Sequence, residues 1–320
     1  VSRAAGGSVT RLGGMRVVFA GSPTVAVPTL RSLVNSDHEV VGVLTQPARP
    51  VGRKRLLTQT PVAVAAGDWG IPVATPDSAE GVVHAMEEWN PDVAIVVAYG
   101  RMLGARERDS VPGGWWNVHF SVLPRWRGAA PVPYAISAGD TETGLTVFRI
   151  EEGLDTGPVA ASVPHPIAPH DTTSTLLGKL ADVAPAAVLS VLDKAQAGSL
   201  HPTDQRGDPT YAPKPSPEVG QLRWLDSADQ LYNSLRAWGE EPGCFATRAD
   251  NDQRVKIVRA WPESETVGPL PGELRVHPEG VQVGTGTGPL VLTRVQPAGK
   301  PEMDAGDWWR GLPEGVRFRA

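Results

Sequence analysis

"MRVVFAGSPTVAVPTLRSLVNSDHEVVGVLTQ" (residues 15–46) decides the fold. Its ends, "MRVVFAG" (15–21) and "EVVGVLTQ" (39–46), are short apolar runs rich in valine. Between them, "TVAVPTLRSLVNS" (24–36) spaces its apolar residues helically. Strand, helix and strand, with unbroken apolar runs at 17–20 and 40–44, is the unit of a parallel sheet covered on both faces. Downstream the unit recurs: "DSAEGVVHAMEEWN" (77–90) reads as a helix, "DVAIVVAYG" (92–100) and "WWNVHFS" (115–121) as strands. "GLTVFRI" (144–150) and "GPVAASVPHPI" (157–167) bracket "EEGLDT". A long helical run follows over 171–198, which Pro185 kinks or divides. Residues 15–200 are therefore expected to form a Rossmann-like, doubly wound, mostly parallel sheet.

The pattern dissolves at "HPTDQRGDPTYAPKPSP" (201–217) into proline, glycine and polar residues, the composition of an interdomain linker. One helical segment (227–238) and short strands such as "RVKIVRAW" (254–261) and "GVQVGTG" (280–286) then suggest a small barrel over 218–320. Residues 1–14 lack the apolar core of a signal peptide and read as a disordered extension, with folding expected from Met15. The 320 residues carry a net charge of −5, so any nucleic-acid contact must be local. Cys244 is the only cysteine, which excludes an internal disulfide and a CxxC metal knuckle and fits a reducing cytoplasm. The run 92–100 is too short to span a bilayer.

Several chemistries are disfavoured. "FAGSPT" offers Gly21 but not the GxGxxG that lets a backbone approach a dinucleotide pyrophosphate. There is no GxSxG elbow, no HExxH and no paired metal spacing, and His165 and His170 read as surface turn residues. The stretch "NVHFSVLPRWRGAAPV" (117–132) is different. Strand alternation points Asn117 and His119 to one face. An amide beside an imidazole could serve a carbonyl reaction or close a turn. Asp155, in the glycine-bracketed "EEGLDTG" (151–157), follows a strand that could lie beside theirs. Such a carboxylate either caps its own loop or holds an imidazole in one tautomer. A second feature is "TQPARPVGRKRLLTQTP" (45–61): no acidic residue lies between Glu39 and Asp68, while Arg49, Arg53, Lys54 and Arg55 crowd together. Pro47, Pro50 and Gly52 make this loop irregular. It is either a solvated surface or a long functional loop.

"FAGSPTVAVPTL", "TQPARPVGR", "VVAYGRML", "NVHFSVLPRWRGAAPV", "GLDTG", "YAPK" and "QPAGK" occur in that order, and together they resemble the methionyl-tRNA formyltransferase family from about Met15 to the C-terminus. The resemblance implies catalytic roles for Asn117, His119 and Asp155, and a folate site at Ser121, Val122, Leu123 and Pro124. Val97 and Tyr99, at the end of a neighbouring strand, are expected beside it. It implies an OB-like C-terminal β-barrel that binds tRNA, and a tRNA-contacting loop in which Arg49 matches the functional arginine. Arg53, Lys54 and Arg55 extend that basic surface. The expected cosubstrate is 10-formyltetrahydrofolate, with no metal. The expected partner is initiator methionyl-tRNA, met by a cytoplasmic monomer with no membrane attachment. In this picture Asn117 and protonated His119 donate to the oxyanion, and Asp155 orients His119. Phe120 stands where the family has a small residue, Ala48 where it often has Asp, and "RKRLL" (53–57) where "RGKKL" is common. Two rivals share parts of this pattern: a formyltransferase acting on an amino-sugar nucleotide, and a noncatalytic RNA-binding protein on a decayed enzyme fold.

Overall fold

The computed structural model describes residues 13–52, 55–263 and 267–320. Two compact units share the chain. One takes residues up to 128, 144–165 and 177–211; the other takes 129–143, 166–176 and 212–320. The chain thus leaves and re-enters each unit, where the sequence pattern suggested one boundary near residue 200. Arg53, Lys54 and most of the expected N-terminal extension lie outside the described residues. Gly13 and Gly14, counted in that extension, are already docked: the Gln196 amide donates to the Gly13 carbonyl at 3.1 Å, and a Cβ on Gly14 would collide with the Asp37 backbone.

In the first unit the apolar runs become β1 (Arg16–Gly21), β2 (Glu39–Leu44) and, after α1 (Val27–Val34), a parallel pair in which Phe19 faces Val43. The basic stretch forms β3 (Arg49–Val51) and β4 (Leu56–Thr58), a two-stranded antiparallel hairpin rather than an irregular loop. Pro50 is compatible with it because a two-stranded ribbon leaves one edge of each strand unpaired. Then come α2 (Pro61–Asp68), β5 (Val73–Ala74), α3 (Ala79–Trp89), β6 (Val93–Val97), α4 (Ala105–Arg108) and β7 (Trp115–His119). Thr60 and Ser78 cap α2 and α3 through their hydroxyls, and Asn90 ends α3 in the left-handed region. α5 (Pro131–Ser137) belongs to the other unit, and the chain returns through β8 (Glu142–Arg149), β9 (Val159–Pro166) and α6 (Thr173–Gln196).

The sheet order is β5-β2-β1-β6-β7-β8-β9, parallel from β5 to β7, with β8 antiparallel to β7. The order in which the chain winds across the sheet reverses between the parallel strands β1 and β6, which places the ligand crevice of a doubly wound sheet at their carboxyl ends. β1 and β6 are buried along almost their whole length, the burial expected of strands covered on both faces. α6 is continuous, with Pro185 inside it. By length and composition it is the one helix among the described residues that could cross a membrane. Leu176, Leu180, Ala184, Val188 and Val191 line one fully buried face, the pattern of a core helix.

The second unit holds α7 (Ala228–Trp238), β10 (Cys244–Thr247), β11 (Arg254–Pro262), β12 (Leu274–His277), β13 (Gly280–Gly284), β14 (Pro289–Pro297), β15 (Met303–Asp304) and α8 (Ala305–Arg310). Its antiparallel sheet runs β10-β11-β14-β13-β12. The C-terminal segment joins the two ends of that order. Ala249 donates to Arg317 and Arg319 to Thr247 on one side, and Phe318 donates to Gly272 on the other. Closure by a terminal stave is consistent with the expected OB-like barrel. Trp224 and Trp308 both stack on Phe318 inside it, with ring planes 7° and 13° from parallel.

Candidate active site

β7 delivers the pair that alternation places on one face. His119 is buried and Asn117 half-buried. Against it, β8 sets Phe148 opposite Asn117 and Thr146 opposite His119, so the strand before the aspartate loop does lie beside the Asn/His strand. Phe148 meets the His119 ring edge to face, with centroids 6.4 Å apart. The "GLDTG" loop then folds back over Arg149. A Cβ on Gly157 would come within 1.8 Å of the Arg149 carbonyl oxygen, so the close approach requires glycine. Asp155 sits in the left-handed region (φ 51°) and turns its carboxylate inward. Its Oδ2 lies 3.6 Å from His119 Nδ1 and accepts from the Gly128 N–H at 2.7 Å.

The other ring nitrogen is occupied as well. His119 Nε2 lies 2.8 Å from the Trp126 carbonyl oxygen. A carbonyl can only accept, so Nε2 carries the proton and the neutral ring presents a bare Nδ1 to Asp155. Burial pushes the His119 pKa below its ordinary value, and the Asp155 carboxylate and the Trp126 carbonyl oppose that shift without overcoming it. With its one N–H donated to the Trp126 carbonyl, the neutral ring has no donor left for an oxyanion in this arrangement, which differs from the role expected for protonated His119. The Asn117 side-chain amide, on the same face of β7, makes no hydrogen bond among the described residues.

The expected folate wall is only partly open. Ser121 and Leu123 are buried: Ser121 Oγ donates to the Arg125 carbonyl at 2.6 Å, and the Leu123 N–H donates to Thr146 Oγ1 at 3.1 Å. Val122 and Pro124 keep part of their surface exposed. Val97 and Tyr99 correct the expectation more strongly, because both side chains are in the core. Burial pushes the Tyr99 hydroxyl up to about 12. What faces outward at this strand end is backbone, at Ala98 (φ 48°) and Gly100 (φ 80°). Ser22 ties the crevice together: its hydroxyl donates to the Tyr99 carbonyl at 3.0 Å and accepts from Gln46 N–H at 3.2 Å. Arg49 reaches this end of the sheet through a 3.1 Å bond to Gln46. Arg55 sits at the hairpin turn (φ 49°), which its N–H closes by donating to Gly52. Of the dismissed histidines, His170 is in an exposed turn, whereas His165 lies within β9.

Of the six non-glycine residues with left-handed backbone among the described residues, Ala98, Trp126 and Asp155 lie at this site. Backbone held in sparsely populated regions is characteristic of functional sites. Among the described residues no cluster of three or more His, Cys, Asp or Glu side chains could hold a metal.

The family profile described as "Formyl transferase" matches residues 15–192, and "Formyl transferase, C-terminal domain" matches 214–313. The chain is 42% identical over 307 residues, 95% of its length and all of the relative's, to a methionyl-tRNA formyltransferase of Arthrobacter sp.. It is 43% identical to that of Rhodococcus erythropolis, covering 96% of this chain and all of the relative. The chain belongs to the methionyl-tRNA formyltransferase family. Solved structures share the family's fold at lower identity. HypX from Aquifex aeolicus in complex with tetrahydrofolic acid matches 96% of this chain and 51% of its own, with TM-score 0.66 and 18% identity. WlaRD, a sugar 3N-formyl transferase, matches 90% of this chain and 99% of its own, with TM-score 0.65 and 16% identity.

Sequence reasoning missed the residues that hold the pair. The Trp126 carbonyl and the Gly128 N–H are backbone groups, which no side-chain motif announces. Gln205 Nε2 donates to the Asp155 and Gly157 carbonyls at 2.8 and 2.9 Å, and its Oε1 accepts from Arg127. It lies in the stretch whose composition reads as linker, where no periodicity marks it.

Proposed function

We propose that this chain transfers the formyl group of 10-formyltetrahydrofolate to the α-amino group of methionine esterified to initiator tRNA, for translation initiation. The observation that carries it is the convergence of Asn117, His119 and Asp155 beside the crevice of the doubly wound sheet. The neutral amine attacks the formyl carbon, and the Asn117 amide donates to the developing oxyanion. The bare Nδ1 of His119 and Oδ2 of Asp155, 3.6 Å apart, together take the proton the amine loses. As the C–N10 bond breaks, that proton passes to N10 of the leaving folate. Ala98 and Gly100 backbone with Val122 and Pro124 form the folate wall, and Ser121, Leu123, Val97 and Tyr99 support it from the core. Residues 15–200 supply the chemistry. The unit containing 218–320, with the Arg49–Arg55 hairpin, meets the tRNA. The protein acts as a cytoplasmic monomer without membrane attachment.

Sugar formyltransferases share the fold at 16% identity, so architecture alone does not separate the two substrates. Full-length identity above 40% to the tRNA enzymes does favour one. The test is a formylation assay offering charged initiator tRNA, charged elongator methionyl-tRNA and an amino-sugar nucleotide. Transfer to the initiator alone is expected. Transfer to the sugar nucleotide, or to no acceptor, would overturn the assignment.

A further inference from the structure

We propose that Gln205 and Thr210 are positioning residues, and that segment 203–211 is a strap fixing the His119–Asp155 geometry. This rests on the reading of that pair as catalytic. The sequence pattern makes this stretch a linker, yet it is bonded along its length to the first unit. Thr203 and Val159 exchange both backbone hydrogen bonds, at 2.7 and 2.9 Å. Within 203–211 every residue is exposed except Gln205 and Thr210, which are half-buried. A passive connection has no reason to turn those two polar side chains inward.

Each reaches one half of the pair. Thr210 grips the loop that carries the histidine's acceptor: the Trp126 N–H donates to Thr210 Oγ1 at 2.8 Å, and the Arg127 N–H donates to the Thr210 carbonyl at 2.8 Å. The Thr210 N–H donates back to Pro124 at 3.3 Å. Trp126 is left-handed (φ 61°), a conformation a tryptophan keeps only where its surroundings impose it. Its carbonyl thereby stays on His119 Nε2 and selects the tautomer. Gln205 grips the aspartate loop through two carbonyls and links it to Arg127 beside Trp126. Its amide orientation has one solution, because Arg127 can only donate and the two carbonyls can only accept. A glutamate of the same size would keep Arg127 and set an acceptor against both carbonyls.

The test compares Gln205→Glu, Thr210→Val and Thr210→Ser with wild type, reading kcat and both KM values and recording histidine ring nitrogen spectra. Gln205→Glu and Thr210→Val should lose about tenfold or more in kcat, approaching the roughly hundredfold that a misplacement of about 1 Å costs. KM for folate and tRNA should hold. The His119 ring should pass from a single Nε2–H tautomer to a mixture. Thr210→Ser keeps the hydroxyl and should restore both. Wild-type kcat in Gln205→Glu and Thr210→Val would overturn the proposal, as would a Thr210→Ser loss equal to that of Thr210→Val. So would a fall in kcat with the tautomer unchanged. A wild-type ring lacking the Nε2 proton would overturn it even if every variant failed to fold. Asp155→Asn in the same assay separates the two ideas. If it turns over normally, the catalytic reading fails. If it is inactive while the strap variants are normal, the strap alone fails.

Discussion

The first unit presents two surfaces built on opposite principles. Around His119 and Asp155 the supporting groups are tightly held: Nε2 donates to the Trp126 carbonyl, the Asp155 carboxylate accepts a backbone N–H, and its loop is clamped by Gln205. The β3–β4 hairpin leaves its side chains in the open. Val51, Leu56 and Leu57 are more than half exposed, and Arg49 is held by one bond to Gln46. Proton transfer needs groups fixed before the substrate arrives, since reorganising dipoles during reaction raises the barrier. A surface that meets a large polyanion gains from reach and can order on contact. An isolated two-stranded hairpin is marginal in water, which suits it to that second task.

The largest expected effect is on the closed surface. Asp155→Asn keeps the shape of the side chain and its acceptor for Gly128 but removes the charge facing His119. Turnover should fall at least about a hundredfold, the scale of general acid–base participation, while the far-ultraviolet circular dichroism stays native. Near-normal turnover would dissolve the contrast, because the carboxylate held between the Gly128 N–H and His119 would then have no chemical role.

On the open surface the expected change is in binding. Replacing Arg53, Lys54 and Arg55 with alanine should weaken tRNA binding and flatten its salt dependence, by roughly 0.7–0.9 of a log–log slope unit for each phosphate left unneutralised. Folate affinity should stay put. An unchanged salt slope would return the hairpin to a solvated surface and leave tRNA binding to the other unit.

A smaller effect joins the two surfaces. Leu57→Ser exposes less apolar area at an already open site, so its effect on unfolding should stay within about 0.5 kcal/mol. Leu123→Asp would instead bury a carboxylate beside Thr146 and should lower the melting temperature clearly. Similar thermal shifts for the two would mean that the hairpin is as integral to the fold as the segment behind the site.

The sheet was legible because β6, and β1 and β2 after their first charged residue, are unbroken apolar runs, and only strands covered on both faces need that. Asn117 and His119 were legible because strand period puts them on one face, and Asp155 because glycines bracket it. Val97 and Tyr99 were placed by strand end alone; the left-handed turn at Ala98 sends the backbone outward and leaves Tyr99 in the core. The hairpin was hidden because Pro50 and Gly52 mimic an irregular loop. Gln205 and Thr210 were hidden because their partners are mostly main-chain groups, and main-chain acceptors leave no trace in a side-chain pattern.

The smallest expected effect is on the titration of His119 itself. Burial pushes its pKa below the ordinary 6.5, with Asp155 and the Trp126 carbonyl pulling upward. The folded protein therefore binds fewer protons at this ring than the unfolded chain does. The stability gained by burying the neutral ring is present above pH 6.5 and is lost as pH falls through the folded value. Asp155→Asn removes one of the two upward influences, so His119 should titrate at still lower pH in that variant. Arg49→Ala, on the open hairpin, should leave the titration where it is. Ring-proton chemical shifts followed against pH in the three proteins measure this directly. A rise in the Asp155→Asn titration would mean that water enters once the carboxylate is gone, and that the closed surface is held shut by Asp155 rather than by the backbone groups around it.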